Sequence, residues 1–597
     1  MFDAMLPYYL TELQALQADT AEFAKAYPSQ AALLRIPANV GTEPVGDPHV
    51  ERLLEGVAFL GARVQHRLDD EFPELTDALL SVLYPHHLAP FPSCLVAGFP
   101  ARAGQDGPAA IQAGTMLETN PLRGEICRFR TTAPVTVWPV EITQARLSGM
   151  PLPAPDNPYA RSAVSVLQLT LRCTTKGLTF DKLGMDRLRF FLGSPDQASV
   201  QLYELLAARA VSVAFTGHGA APVIPAEASL QPVGFEPEEA LLPWDKRGFS
   251  GFRLLSEYFG FPHKFMFIDL CGIPSAGFGE TMEVYVYLDQ EAPELARSVN
   301  ARSLQLGCAP AVNLFPMTCD PITLDHTQTE YLVTPDRRRM DALEVWSITG
   351  VRETREGGVR PWRPFYRLTP GHGATAAGPS YLTIRREAQA GSDVWIAPCD
   401  PALDPDGSAA TRLSVDALCS NRDLPRQLPV DAPLRVTGGG SGIEGARAVT
   451  AATAPLRPRL REKRFWRLIS HLALGHLSLT GDDTAHALRE VLRLYNLDDS
   501  ERAEAAISAL QAIAQRPYSA RAPGNRVGAF CRGLEVDLIF AARQWQPLGL
   551  FLMASVLARF LPLQGQVNSF VRTRALLSGK QAPVAAWPPR AGGRVLL

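Results

Sequence analysis

Four acidic side chains close together, Asp69, Asp70, Glu71 and Glu74, are the densest candidate for acid–base chemistry in the chain. Paired carboxylates can divide acid and base roles when their surroundings push the two pKa values apart. No group that would polarise a histidine or a substrate is obvious near these four. They flank Pro73, which opens a helical pattern, and carboxylates favour the positive end of a helix. We therefore read them as a solvated acidic corner. His86-His87, near Glu71 and Asp77, could be a fragment of a metal site. Adjacent side chains on a helix point roughly 100° apart and rarely share one ion, so the pair reads as a polar edge. His471 and His476, five residues apart, fall on different faces of a helix and on opposite faces of a strand. The run 438–442 (GGGSG) lacks the lysine and following helix of a phosphate cradle and reads as a flexible loop. GxxxxGK[ST], HExxH and GxSxG do not occur, and no GxGxxG follows a strand pattern. The residues assign no catalytic group, no cofactor and no metal.

The nine cysteines are odd in number, scattered and without a CxxC, which is the usage of a reduced cytosolic protein. Net charge is -3 over 597 residues, so nucleic acid held through its phosphates is not expected. The arginine tracts 337–339 and 457–467 read as solvated loop charge, the second leaving a protein contact open. The N-terminus lacks the basic start and apolar core of a signal peptide. The longest apolar runs, such as 549–557, are about half of what crosses a bilayer, so no direct membrane insertion is expected.

The chain exceeds one core, and 50 prolines with 46 glycines imply many turns and a large β-rich share. The pattern is α+β multidomain: N-terminal amphipathic helices, β-rich middle modules and a mixed α/β C-terminal domain. The divisions fall at 1–92 (helical), 93–335 (β-rich), 336–458 (a separate, looser β module) and 459–597 (α/β). Residues 3–27 form a first helix that Tyr27-Pro28 ends. Asp47 can cap, and Pro48 open, a second helix carrying Val50, Leu53, Leu54, Val57, Ala58, Gly61, Val64 and Leu68 as one stripe. A third helix runs from Pro73 to Tyr84-Pro85. Strands are expected at 95–99, 135–140, 167–171, 189–192, 282–288 and 534–540, with helices at 196–206, 484–495 and 548–563. Asp498 and Glu501 resemble a capping pair before a helix through Ile507 and Leu510. Helix stripes of this kind are usually core. Here they are long, carry small residues and precede the β modules, so pairing with helices of another chain stays open.

The residues also carry a family resemblance. LPYYLTELQAL near the start and the continuous stretch 47–93 (DPHVERLLEG through HHLAPFPS) closely resemble the TssF family, also called VasA or ImpG, of the type VI secretion baseplate. Shorter matches follow in order: 311–316 (AVNLFP), 419–425 (CSNRDLP), 465–479, 533–536 (GLEV), 550–560 and 568–570 (NSF). The stretch 541–549 (AARQWQPLG) departs from the family's acidic run and GSG-like turn, which bears on any contact made there. The resemblance implies a structural wedge subunit of a contractile injection system, not an enzyme. It implies two copies joined to one TssG, six wedges around the central spike or hub, and contacts with the gp25-like TssE and the adaptor TssK. The sheath builds on the finished platform. By the same resemblance the leading helices enter a bundle with TssG, and Leu6, Tyr9, Leu13, Leu53, Leu54, Val57, Val64 and Leu68 are the expected interface. The C-terminal domain would meet the second TssF copy, and 336–458 would project as a wing. The implied location is cytoplasmic, docked at the inner face of the membrane through the adaptor. A phage-tail baseplate protein of the same fold, and a cytosolic hydrolase using Asp69, Asp70 and Glu71, are the competing readings.

Overall fold

In the computed structural model the described residues are 9–10, 12–13, 16, 23, 26–33, 48–70, 80–81, 85–458 and 484–592. Within these, 194–196, 218–220, 245–248, 275–276, 326, 356–357, 367–377, 389–390, 401–410, 438–444, 522–529 and 565–568 are excluded. The chain divides into two compact units, Met1–Val82 with Arg461–Ser470, and Leu83–Leu460 with His471–Leu597.

In the first unit one helix runs Pro48–Asp70, with proline at its opening position as expected. Tyr27 is not helical, so the preceding helical stretch ends at Tyr27-Pro28 as expected, and a new helix opens at once. A six-residue helix runs Pro28–Leu33, and Ala31 N–H donates to Tyr27 O at 3.0 Å. Pro85 likewise opens a helical turn, Pro85–Leu88. Both prolines occupy positions where no backbone donor is missed, so they read equally well as starts and as stops. Most of the helix expected from Pro73, including Glu71 and Glu74, lies outside the described residues, as do Leu6, His471, His476 and 465–479.

The second unit is built on sheets. Six strands close a barrel, in the order Cys94–Gly98, Cys308–Val312, Arg128–Thr131, Met116–Thr119, Pro433–Thr437, Ala446–Ala448. Strand Cys94–Gly98 is buried throughout because its alternate faces serve two cores. Leu95 and Ala97 point into the barrel, and Cys94 and Val96 into the main core. A four-stranded antiparallel sheet orders Val140–Gly149, Ser165–Cys173, Thr281–Leu288, Ala210–Gly217. The alternation at 282–288 predicts one buried face, yet both are covered. Met282, Val284, Val286 and Leu288 enter the main core, while Tyr285 and Tyr287 are roofed by Leu152, Ala154 and Ala160. Tyrosine suits this place, because its hydroxyl can reach a polar partner; Tyr287 donates to Pro155 O.

The eight-stranded array combines Glu344–Arg355, Gly358–Pro364, Ser380–Ala388, Gly391–Cys399 and Thr411–Ser420 with Phe315–Thr318, Ile322–Leu324 and Tyr331–Leu332. The boundary expected at 335/336 therefore runs through one array, around one core of Val345, Trp362, Ile396 and Val415. Strands Pro433–Thr437 and Ala446–Ala448 leave it for the barrel. Local composition marks the Gly-rich runs at 371–380 and 438–448, but pairing partners more than 100 residues away leave no local trace.

The C-terminal sheet orders Leu510–Arg521, Phe530–Phe540, Phe570–Leu577 and Ala585–Ala586, with Arg590–Ala591 also on Phe570–Leu577. Helix Leu550–Leu563 is buried along nearly its whole length, which is why it is apolar all round. It is bent by 96° from Ala542–Leu548, with Gly549 at φ 64° in the turn. Among the described residues no single helix is long and apolar enough to cross a membrane. The capping pair expected at Asp498 and Glu501 is not formed. Ser500 is the cap residue of Glu501–Ser508, and Asp498 instead accepts from Ser500 N–H at 3.2 Å. Leu510 begins a strand, not the end of that helix.

Candidate assembly surface

The single stripe expected on helix Pro48–Asp70 is two rows. Ala58 and Ala62 are fully buried, and Leu54 is half-buried. A Cβ added at Gly61 would stand 3.2 Å from Glu12 Oε2, so the small residues let the first helical stretch come close. The bulky row faces out: Leu53 is 69%, Val57 52%, Leu60 59% and Val64 58% exposed. Phe59 beside them is also exposed. The outer spacing of four, three, four is that of a helix seam built for knobs-into-holes contact. Isolated exposed leucines are ordinary, but four in register form a patch. Covering the exposed part of each is worth about 1–2 kcal/mol. Leu60 and Phe59 were missed in the sequence because the stripe, which ran through both Leu53, Val57 and Val64 and Leu54, Ala58 and Gly61, was centred between the two rows and left them beyond its edge. Heptad spacing from Leu53 would have found Leu60. Tyr9 and Leu13 are half-buried, and the side chain of Leu68 lies outside the described residues.

Two of the sequence blocks that carry the family resemblance meet in space. Asn313 and Asn421 are both fully buried. Asn421 N–H donates to Asn313 Oδ1 at 2.6 Å, and Asn313 Nδ2 donates to Asn421 Oδ1 at 2.9 Å and Arg128 O at 2.7 Å. Arg128 N–H donates to Asn421 Oδ1 at 3.0 Å. The pair thus ties the barrel to the eight-stranded array. Asn421→Ala orphans several buried groups at once, each worth about 1–3 kcal/mol. The expected loss is about 2–4 kcal/mol, read as a lower midpoint in denaturant with an unchanged slope.

A second buried cluster holds helix Ser250–Gly260 in place. Glu257 accepts from Arg253 Nη1 at 2.9 Å, from Leu241 N–H at 2.7 Å, and from Lys264 Nζ. All three charged side chains are buried. Burial pulls Lys264 down to about 8, against the opposing pull of Glu257. No sequence pattern announced this cluster. Arg253 and Glu257, four apart, share a face of that helix, but Lys264 lies beyond its end in the turn Pro262–Phe265, and burial is not written in spacing.

The remaining candidates are structural. His87 does not sit on a polar edge. It is half-buried, its Nε2 3.2 Å from Tyr495 Oη, and burial pulls it down to about 4. Burial also pulls His263 down to about 4. Both rings are kept neutral on folding, so their contribution is fully present above the ordinary value of 6.5 and is lost as pH falls toward 4. The thermal midpoint is expected to fall between pH 6.5 and 4.5, and His263→Phe to flatten that slope. Arg457 is not solvated loop charge either. It bonds Glu344 at 3.0 Å and Asp423 at 3.1 Å. Arg339 pairs with Glu125 at 2.8 Å, while Arg337 stays exposed, 3.9 Å from Asp320. All nine cysteines are free thiols, and burial pushes Cys127 and Cys308 up to about 12. Among the described residues no group of three or more His, Cys, Asp or Glu could hold a metal ion. A cleft of about 700 Å³ between barrel and four-stranded sheet is lined by residues that include Trp138, Glu141, Arg302, Asp431 and Arg447. Three of these charges are already paired, since Arg447 meets Asp431 at 3.1 Å and Glu141 meets Arg172.

A welded multi-sheet body with an uncovered apolar helix row defines a class, the scaffold component of a larger assembly. The comparisons with known proteins narrow it. The profile of one family, Type VI secretion system, TssF, matches residues 1–594. Type VI secretion system component TssF1 of Pseudomonas aeruginosa is 35% identical over 628 aligned residues, covering 99% of each chain. A chain in the cryo-electron microscopy structure of the type VI secretion system TssK-TssF-TssG baseplate subcomplex superposes with a TM-score of 0.73 at 26% identity. That match covers 92% of this chain and 99% of that one. A chain of the baseplate complex from the type VI secretion system shares the fold, with a TM-score of 0.58 at 24% identity over 99% of this chain and 100% of that one. The chain belongs to the TssF family and is a structural subunit of the type VI secretion baseplate.

Proposed function

We propose that the chain is the wedge body of the baseplate and that its outer helix row is the seat for TssG. The observation that carries this is the row Leu53, Val57, Leu60 and Val64, exposed and spaced as a helix-pairing seam. Leu6, Tyr9, Leu13, Leu54 and Leu68 extend the same interface. TssK joins through the assembled wedge. The support for both partners is the likeness to a chain solved with them. The full wedge holds two copies of this chain to one TssG, and carries TssE, the spike or hub and the sheath as the platform is completed. The subunit performs no catalysis, works in the cytoplasm and reaches the inner face of the membrane only through the adaptor.

Permanent interfaces bury 2,000 Å² or more in total, and a body made for one exposes apolar surface when alone. Expressed by itself, the chain is expected to aggregate; expressed with TssG, to purify as a soluble complex. Native mass measurement of that complex gives the stoichiometry. A stable monomer that ignores TssG contradicts the proposal. A mass of one copy per TssG contradicts the two-to-one wedge alone.

A further inference from the structure

Strand Glu344–Arg355 is irregular where it begins. Its partner register jumps from Val345–Cys419 to Ser347–Leu418, leaving Trp346 as an extra, unpaired residue. Such a bulge re-aims a side chain and frees the carbonyls around it. Both consequences are used here. Val345 stays in the core of the eight-stranded array, whereas Trp346 turns out of it and is buried in the main core. Its indole Nε1 donates to Pro90 O at 2.8 Å. The freed carbonyls of Val345 and Trp346 both accept from the guanidinium of Arg385, on strand Ser380–Ala388. Arg385 also donates to Ser392 Oγ at 2.7 Å, and Ser392 donates through N–H and Oγ to Glu344 Oε1 at 2.8 and 2.7 Å. Glu344 is itself buried and holds Arg457 with its other oxygen.

Pro90 and Arg457 stand at special places. Residues 83–92 follow the point where the chain leaves the helical unit, and 456–460 precede a point where it returns. The two stretches are paired: Phe91 N–H donates to Leu456 O at 2.7 Å and Leu456 N–H to Phe91 O at 2.9 Å. Cys94 N–H donates to Thr453 Oγ1 at 3.0 Å and Thr453 N–H to Cys94 O at 2.9 Å. A Cβ added at Gly260 would stand 2.6 Å from the Phe91 ring, so the pair is seated as well as zipped.

We propose that the Trp346 bulge is a latch that couples the eight-stranded array to the paired segments through which the chain passes to and from the helical unit. One end of one strand grips both segments, Trp346 taking Pro90 and Glu344 taking Arg457. Opening the latch from the side of the eight-stranded array therefore loosens both paired segments, and loosening these segments strips the bulge of its partners. Coupling of this kind is reciprocal. A binding event that stiffens either end is felt at the other.

Hydrogen exchange read by mass spectrometry on the full-length chain, co-purified with TssG, tests this. Arg385→Met removes the donor to both freed carbonyls without touching residues 90–94 or 453–457. It is expected to speed exchange about tenfold at Phe91 and Leu456 as well as at 345–348, with strand Phe267–Cys271 unchanged. Trp346→Phe keeps an aromatic ring in the core, removes the indole N–H together with the five-membered ring, and carries the test if the first variant does not fold. It is expected to speed exchange at Leu456 and at 345–348 together. Faster exchange confined to the neighbourhood of each substitution overturns the proposal. So does an equal rise in Phe267–Cys271, which would mark global loosening in place of a local latch.

Discussion

Replacing Val57 and Leu60 together by aspartate is expected to abolish co-purification with TssG while leaving the β body folded. Both side chains are more than half exposed, so the free chain tolerates the charge. In the complex the same two carboxylates enter an apolar seam with no partner. Burying an ionised carboxylate unpaired costs several kcal/mol per group. The lost apolar cover adds about 1–2 kcal/mol for each position. Together these exceed what most interfaces hold in reserve, so the loss is of the order of a thousandfold or more in affinity. Leu54 is the wrong partner for this test although it neighbours Val57. It is half-buried beside the inner row of Ala58 and Ala62, and a charge there would damage the unit's own helix contact. Pull-down of TssG by tagged variant, with circular dichroism of the variant alone, separates the two outcomes. Full TssG recovery would move the seat off this row.

The second large effect is thermodynamic. Glu257→Ala is expected to destabilise the β unit by about 3–5 kcal/mol, the usual result of breaking a buried charged cluster by removing one partner. Arg253 and Lys264 would be left buried with like charge and no carboxylate, and Leu241 N–H would lose its acceptor. Lys264→Met is expected to be milder, because Glu257 keeps Arg253 and the backbone donor. The order of midpoints in denaturant, wild type above Lys264→Met above Glu257→Ala, checks this. Lys264 also has a sign that can be tested. Its folded value of about 8 lies below the ordinary 10.5, so the unfolded chain binds the extra proton between them. Stability from this group alone rises with pH across that window.

What the sequence made legible was what alternates or repeats locally. Helix 484–495, strand 282–288 and the opening of the long helix at Pro48 all follow from spacing and capping chemistry that need no distant partner. Proline was ambiguous because the same ring that cannot continue a helix is welcome at its first turn, as at Pro28 and Pro85. Sheet membership was invisible. Nothing near residue 322 states that it will pair with residue 413, nor that 434 will join 119. The buried polar groups were invisible for a related reason. Asn313 and Asn421 look like loop residues until the fold brings them face to face. The interface row was half legible. Periodicity found the stripe, but only the fold could show that Ala58 turns inward and Leu60 outward.

Hydroxyl-radical footprinting compares side-chain access in the chain alone, kept dilute, with access in the TssG–TssK complex. Leu53, Val57, Leu60 and Val64 are expected to be oxidised readily in the free chain and protected several-fold in the complex. Unchanged oxidation of all four, with protection appearing elsewhere on the chain, would contradict the claim that this helix row exists to be covered by another subunit.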